Sequence, residues 1–278
     1  MPLIRIEDLD DPRLDIYRDL PSARKERKPG RFLAEGRLLV ERLLASGWPL
    51  ESLLVDEQRL EHIEQPVPPE LPVYVVPRGM TQRIVGFQFH RGVVACGLRP
   101  PNCSPRALPL EPDGRWVVPV CLEIQDPENL GGILRNAAAF GAPGVILGPR
   151  CADPLSRRVL RVSMGAPFYL PIAWLEDVAE LDELRRSFQA VAVATVLDDR
   201  AQPLPSVVRP ERVLLLLGNE GHGLPPFWRS WADCCWTIPM APPTDSLNVS
   251  VAAAIFLYQL TCLCPAQDQS ESMYSLKS

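Results

Sequence analysis

Apolar and polar residues follow two different periods along this chain, and the places where the period changes outline its elements. Over 32–46 (FLAEGRLLVERLLAS), Leu33, Leu39, Val40, Leu43 and Leu44 share one helical face and Gly47 follows as a stop, so a helix is expected there. Apolar runs at 52–55, 73–76 and 92–96 predict strands, with a short helix at 80–85 between the last two. Beyond residue 115, strands at 116–124, 144–147, 190–196, 213–217 and 236–240 alternate with helices at 130–140, 154–162, 176–188 and 246–262. Asn129 is the expected cap of the first of these helices, and Asp153 with Pro154 the expected start of the second. Continuous apolar strands separated by helices predict a parallel sheet covered on both faces. Ligands bind beyond the carboxyl ends of such strands.

The stretch 98–115, LRPPNCSPRALPLEPDGR, obeys neither period, because Pro100, Pro101, Pro105, Pro109 and Pro112 remove donors and fix φ. The expected organisation is a small α/β/α domain over 1–99, a semi-extended Pro-rich linker at 100–115, a larger domain over 116–265 and a polar tail at 266–278. The fold class is α/β, with an open, mostly parallel C-terminal sheet carrying helices on both faces.

Composition narrows the function. With 46% hydrophobic and 23% charged residues, the chain of 278 has the makeup of a globular protein. It has no apolar run of membrane-spanning length, and its acidic start lacks a signal-peptide core, so a cytoplasmic protein without a membrane partner is expected. The 8 cysteines include no C-x-x-C pair and only 3 histidines accompany them, so reduced thiols and no metal site are expected. A net charge of −5 excludes a protein that coats nucleic acid with bulk positive charge.

Three segments carry polar groups that packing does not require. In 126–141, DPENLGGILRNAAAFG, Arg135 is a long cation in an otherwise small, apolar helix, either solvated or projected toward an anionic ligand. In 214–224, LLLLGNEGHGL, a buried strand runs into a loop whose Gly218, Gly221 and Gly223 bring backbone amides close to a ligand, with Glu220 among them. This spacing fits neither a nucleoside-triphosphate loop nor a dinucleotide fingerprint. In 238–254, IPMAPPTDSLNVSVAAA, capping accounts for one polar residue, yet Ser246, Asn248 and Ser250 cluster at a helix start.

In that order, NLGGILRNAAAFG, LLLLGNEGHGL and IPMAPPTDSLNVSVAAA resemble the three motifs of the SpoU (TrmH-type) RNA ribose 2′-O-methyltransferases. The resemblance spans roughly 116–264, and 163–166 (SMGA) resembles the family's Ser-x-Gly-Ala turn. The segment before the linker is similar to the ribosomal-protein-like substrate-binding domain of many members. The resemblance implies a trefoil-knotted methyltransferase, typically a homodimer, that uses S-adenosylmethionine on RNA. It implies a donor pocket of Thr195, Gly218, Glu220, Gly221, Ile238, Met240 and Leu247, and a catalytic set of Arg135, Asn129, Glu220, Ser246 and Asn248. A guanidinium is a poor base, so a clamping and charge-stabilising role suits Arg135 better than proton abstraction.

Two basic runs are the expected RNA contacts: Arg24, Lys25, Arg27, Lys28 and Arg31, and then Arg157, Arg158 and Arg161. The other readings are a non-catalytic RNA-binding protein of the same fold and a dinucleotide-dependent oxidoreductase. The disrupted glycine pattern speaks against the latter.

Overall fold

The computed structural model describes residues 2–18, 30–85 and 92–263, in two sheets. In the small sheet the elements are β1 (Leu3–Arg5), β2 (Arg31–Glu35), α1 (Arg37–Ser46), β3 (Leu50–Asp56), β4 (Val73–Val76), α2 (Met80–Val85) and β5 (Val93–Leu98). The strand order is β1-β4-β3-β5-β2, with β1, β4 and β3 parallel and β5 antiparallel to both neighbours.

The helix expected over 32–46 is corrected at its start, since the first residues form β2. Phe32 and Ala34 face one core and Leu33 the other, so this strand is covered on both sides and reads as an unbroken apolar run. Gly36, at φ 88°, turns the chain into α1, and Gly47, at φ 72°, ends it. Strand β1 is too short to register as a period.

The large sheet follows with β6 (Trp116–Cys121), α3 (Pro127–Ala139), β7 (Val145–Leu147), α4 (Arg157–Val162), β8 (Ile172–Trp174), α5 (Val178–Phe188), β9 (Val191–Thr195), β10 (Gln202–Pro203), β11 (Arg212–Leu217), α6 (Pro226–Trp231), β12 (Cys234–Thr237) and α7 (Val249–Tyr258). Its order is β10-β12-β9-β11-β6-β7-β8, parallel throughout. Alternate residues of β11 enter separate cores: Val213, Leu215 and Leu217 under α3 and α7, Leu214 and Leu216 under α5.

Two caps differ from expectation. Asp126, not Asn129, caps α3, accepting from Glu128 N at 2.6 Å and leaving Asn129 inside the helix. Ser156 caps α4, while Asp153 pairs with Arg99. The Pro-rich stretch lies against the large sheet, where Cys103 bridges Ala173 and Leu108 and Leu110 are buried. The described cysteines are free thiols, and burial pushes Cys151 and Cys234 up to about 11, which keeps both protonated at neutral pH.

The two sheets meet through α4 and the turn after it. Leu155, Leu160 and Phe168 complete the core of the small domain. The Phe168 ring packs between Phe32 and Trp48, with centroids 5.9 and 5.7 Å away. Arg42 donates to the Met164 carbonyl. Arg157, expected to contact RNA, is instead turned into this seam against Glu35; the two side chains are only 15% and 7% exposed. A charge so enclosed is stable only with its partner. Arg157→Ala and Glu35→Ala are each expected to destabilise the protein by about 3 kcal/mol in urea unfolding, and the apolar double variant Glu35→Leu, Arg157→Met by less than either.

Candidate active site

The loops that follow β9, β11 and β12 wall a cleft of about 520 Å³ beyond the carboxyl ends of the large sheet. Its floor is the turn after β11. Gly218 has no room for a side chain, because a β-carbon would collide with the backbone of Gly223 and Leu224. Asn219 and Gly223 exchange backbone hydrogen bonds of 3.1 and 2.9 Å across the turn. The Asn219 side chain holds the turn from within, accepting from Gly221 N and His222 N at 2.9 and 3.2 Å. It also donates to the Glu123 carbonyl at 3.0 Å, which ties the turn to the segment before α3.

The three polar segments meet at one wall. Glu220 Oε1 accepts from Asp126 N and from Asn129 Nδ2, both at 3.1 Å. Asn129 Oδ1 accepts from Asn248 Nδ2 at 2.7 Å. Asn248 Oδ1 in turn caps α7, accepting from Ser250 N at 2.8 Å and Ser250 Oγ at 2.7 Å. Small residues allow the required closeness. A β-carbon on Gly131 would lie 2.7 Å from Val162 Cβ of α4, and one on Gly132 would lie 2.8 Å from Ser250 Cβ of α7. The glycine pair therefore lets α3 fit between two helices, and Asn136 Nδ2 adds a 2.9 Å bond to the Ser250 carbonyl.

Thr195, Gly218, Glu220, Gly221, Ile238, Met240 and Leu247 all line the cleft, as do Asn129, Ser246 and Asn248. The Thr195 hydroxyl donates to the Leu216 carbonyl at 2.8 Å, joining β9 to β11 at the rim. Arg135 is not among them. It lies six positions after Asn129, about 240° around the helix, on the exposed side of α3, with no hydrogen bond or ion pair among the described residues.

Sequence reasoning passed over Asn219, the residue that braces the turn, although it stands in the quoted GNEG. It also passed over His222 and Arg229, which line the cleft. Arg229 pairs with Asp198 at 3.1 Å, and the neighbouring Arg200 guanidinium holds the Asp198 carboxyl below its usual range. No local motif marks that pairing, which only the fold creates.

Of the expected RNA contacts, Arg24, Lys25, Arg27 and Lys28 lie outside the described residues. Arg31 pairs with Glu51, the exposed Arg158 with Glu128 of α3, and Arg161 is half-buried at the end of α4. Among the described residues, no group of three His, Cys, Asp or Glu could hold a metal ion, and no helix is long and apolar enough to cross a membrane.

Residues 117–258 match the SpoU rRNA Methylase family, and residues 16–95 match the MRM3-like substrate binding domain. A protein of Mycobacterium tuberculosis described as an uncharacterized tRNA/rRNA methyltransferase is 39% identical, over 91% of this chain and 90% of its own length. The 23S rRNA (guanosine-2′-O-)-methyltransferase RlmB of Acinetobacter baylyi is 31% identical, over 73% of this chain and 84% of its own. The crystal structure of an AdoMet-bound rRNA methyltransferase from Sinorhizobium meliloti superposes with a TM-score of 0.81 at 27% identity, covering 95% of this chain and 99% of that one. The chain thus belongs to the SpoU family of RNA methyltransferases, with its three polar segments inside the matched region.

Proposed function

We propose that the protein transfers a methyl group from S-adenosylmethionine to a ribose 2′-hydroxyl of RNA, and of ribosomal RNA rather than transfer RNA. The observation that carries this reading is the Glu220–Asn129–Asn248 junction, which joins three distant segments on the wall of one cleft. The cleft has the chemistry the donor needs. Its volume falls within the roughly 300–1,000 Å³ usual for small-molecule sites. Leu224, Ile238, Val249 and Phe256 offer an apolar wall for a purine, while the amides around Gly221 and the side chains of Thr195, Ser246 and Asn248 offer polar partners. The ribosomal preference is supported by the activities named for RlmB and the Sinorhizobium protein.

The donor's contribution, when bound, is a methyl group already activated on a sulfonium. The residues of this chain orient and stabilise. Glu220, Asn129 and Asn248 fix the turn after β11 against the starts of α3 and α7, so the cleft is preorganised. The Arg135 guanidinium clamps an RNA phosphate while stabilising the developing alkoxide. Because Arg135 faces away from the cleft of its own chain, a second copy has to complete the site. Val251, Ile255 and Tyr258 form an exposed stripe along α7, 47%, 37% and 46% accessible, beside the α3 face that carries Arg135. A homodimer through this face buries the stripe and brings Arg135 toward the partner cleft.

The chain is trefoil-knotted as the family implies, a reading consistent with β12 lying beyond β9 while the chain returns to seat α7 on α3. The small domain takes the role of RNA binding, with Arg24, Lys25, Arg27, Lys28, Arg31, Arg158 and Arg161 as phosphate contacts. The protein works in the cytoplasm with its RNA.

Calorimetry is expected to show S-adenosylmethionine binding, and its absence sinks this reading. Gly218→Ala, which forces the turn open, is expected to weaken that binding by about tenfold or more while circular dichroism stays unchanged. Arg135→Ala is expected to slow methyl transfer about a hundredfold with donor affinity intact, and an unchanged turnover number contradicts its role. Ile255→Glu is expected to halve the mass measured by light scattering and to abolish transfer; an unchanged mass argues against the α7 interface.

A further inference from the structure

The described arginines fall into two groups. Most meet a carboxylate or a carbonyl of the chain itself, as Arg5 does with Glu57, Arg99 with Asp153 and Arg185 with Asp233. Four have side chains with no hydrogen bond or ion pair among the described residues: Arg135, and then Arg59, Arg78 and Arg83, all exposed.

The fold collects the last three at one end of the small sheet. β3 and β4 are parallel neighbours with Asp56 opposite Val76, so the chain leaves both strands at the same edge. Arg59 follows β3 in a 3-10 turn over Glu57–His62, and Arg78 follows β4. Arg83 lies in the last turn of α2, which packs on β3. Two carboxylates of this edge, Asp56 and Glu57, already accept hydrogen bonds from the chain. Asp56 accepts from Gln58 N at 3.2 Å and Gly79 N at 3.1 Å. Glu57 accepts from Arg78 N at 3.3 Å and pairs with Arg5 at 2.9 Å. Gly92, at φ 65°, is the floor under Arg59: a β-carbon there would fall 2.6 Å from Arg59 Cγ, so the aliphatic stem lies across this glycine.

We propose that this edge is a contact surface for the RNA substrate, with Arg59, Arg78 and Arg83 each engaging a backbone phosphate. It rests on the reading of the protein as an RNA methyltransferase and names where the small domain holds that RNA. Among the described side chains of this edge, three guanidinium groups without an ion pair outnumber Asp56, the one carboxylate without one, and leave a local positive potential in a chain of net charge −5. Their planar forks match phosphate oxygens, and such contacts position RNA without reading its sequence. Because α4 fixes the small domain against the large one, RNA gripped here is presented to the cleft in one orientation.

The test is filter binding of in-vitro-transcribed 23S ribosomal RNA over a range of salt concentrations, without donor. Arg59→Glu, Arg78→Glu and Arg83→Glu are each expected to lower the slope of log affinity against log salt by about 0.7–0.9. The triple variant is expected to bind at least about tenfold more weakly, with S-adenosylmethionine affinity unchanged by calorimetry. Arg106→Glu removes an exposed arginine paired with Glu183 and is expected to leave the slope unchanged. A triple variant with wild-type slope and affinity overturns the proposal, and so does an equal loss in Arg106→Glu, which would trace the effect to bulk charge. A wild-type protein that binds RNA but not the donor overturns the enzymatic reading alone, while failure to bind RNA overturns both.

Discussion

The cleft beyond the large sheet depends on a single constraint: three polar side chains from distant segments must satisfy one another. Glu220 receives Asn129, and Asn129 receives Asn248. Removing any member leaves a polar group of its neighbour without its partner, at a cost of about 1–3 kcal/mol where the group is buried. Asn129, 8% exposed, is the enclosed member, so the cost falls most heavily at the centre. The geometry demands that α3 come very close to α7 and α4, which explains why two glycines stand together inside a helix that propensity alone would disfavour.

Much of this architecture was legible in the sequence. Runs such as 213–217 could only be strands covered on both faces, and the three motif segments did converge on one cleft. What escaped had physical reasons. A doubly covered strand such as β2 has no alternation, so its residues joined the helical pattern of α1. Asn129 looked like a cap because Asn favours that position, but Asp126 takes the role one turn earlier and frees Asn129 for the cleft wall. Arg157 looked like a surface cation because its acceptor, Glu35, is remote in sequence. The direction in which Arg135 points depends on helical phase relative to neighbours, which local pattern does not encode.

Charge has a similar lesson. An acidic chain can still bind a polyanion when its cations are sorted by what they already hold. Carboxylates of the chain neutralise arginines at the seam, at the cleft rim and along α5. On the proposed reading, affinity for RNA comes from the remainder, and not from the total.

The contribution of 155–168 to the core of the small domain has a consequence for how this chain can be divided. Leu155, Leu160 and Phe168 belong by sequence to the large unit but by packing to the small one. A fragment cut in the Pro-rich stretch would therefore have an open hydrophobic wall where Phe168 had met Phe32 and Trp48. Boundaries drawn from homology describe inheritance, whereas cooperative unfolding follows the packed core. By that measure the shared core is expected to make the two sheets unfold together.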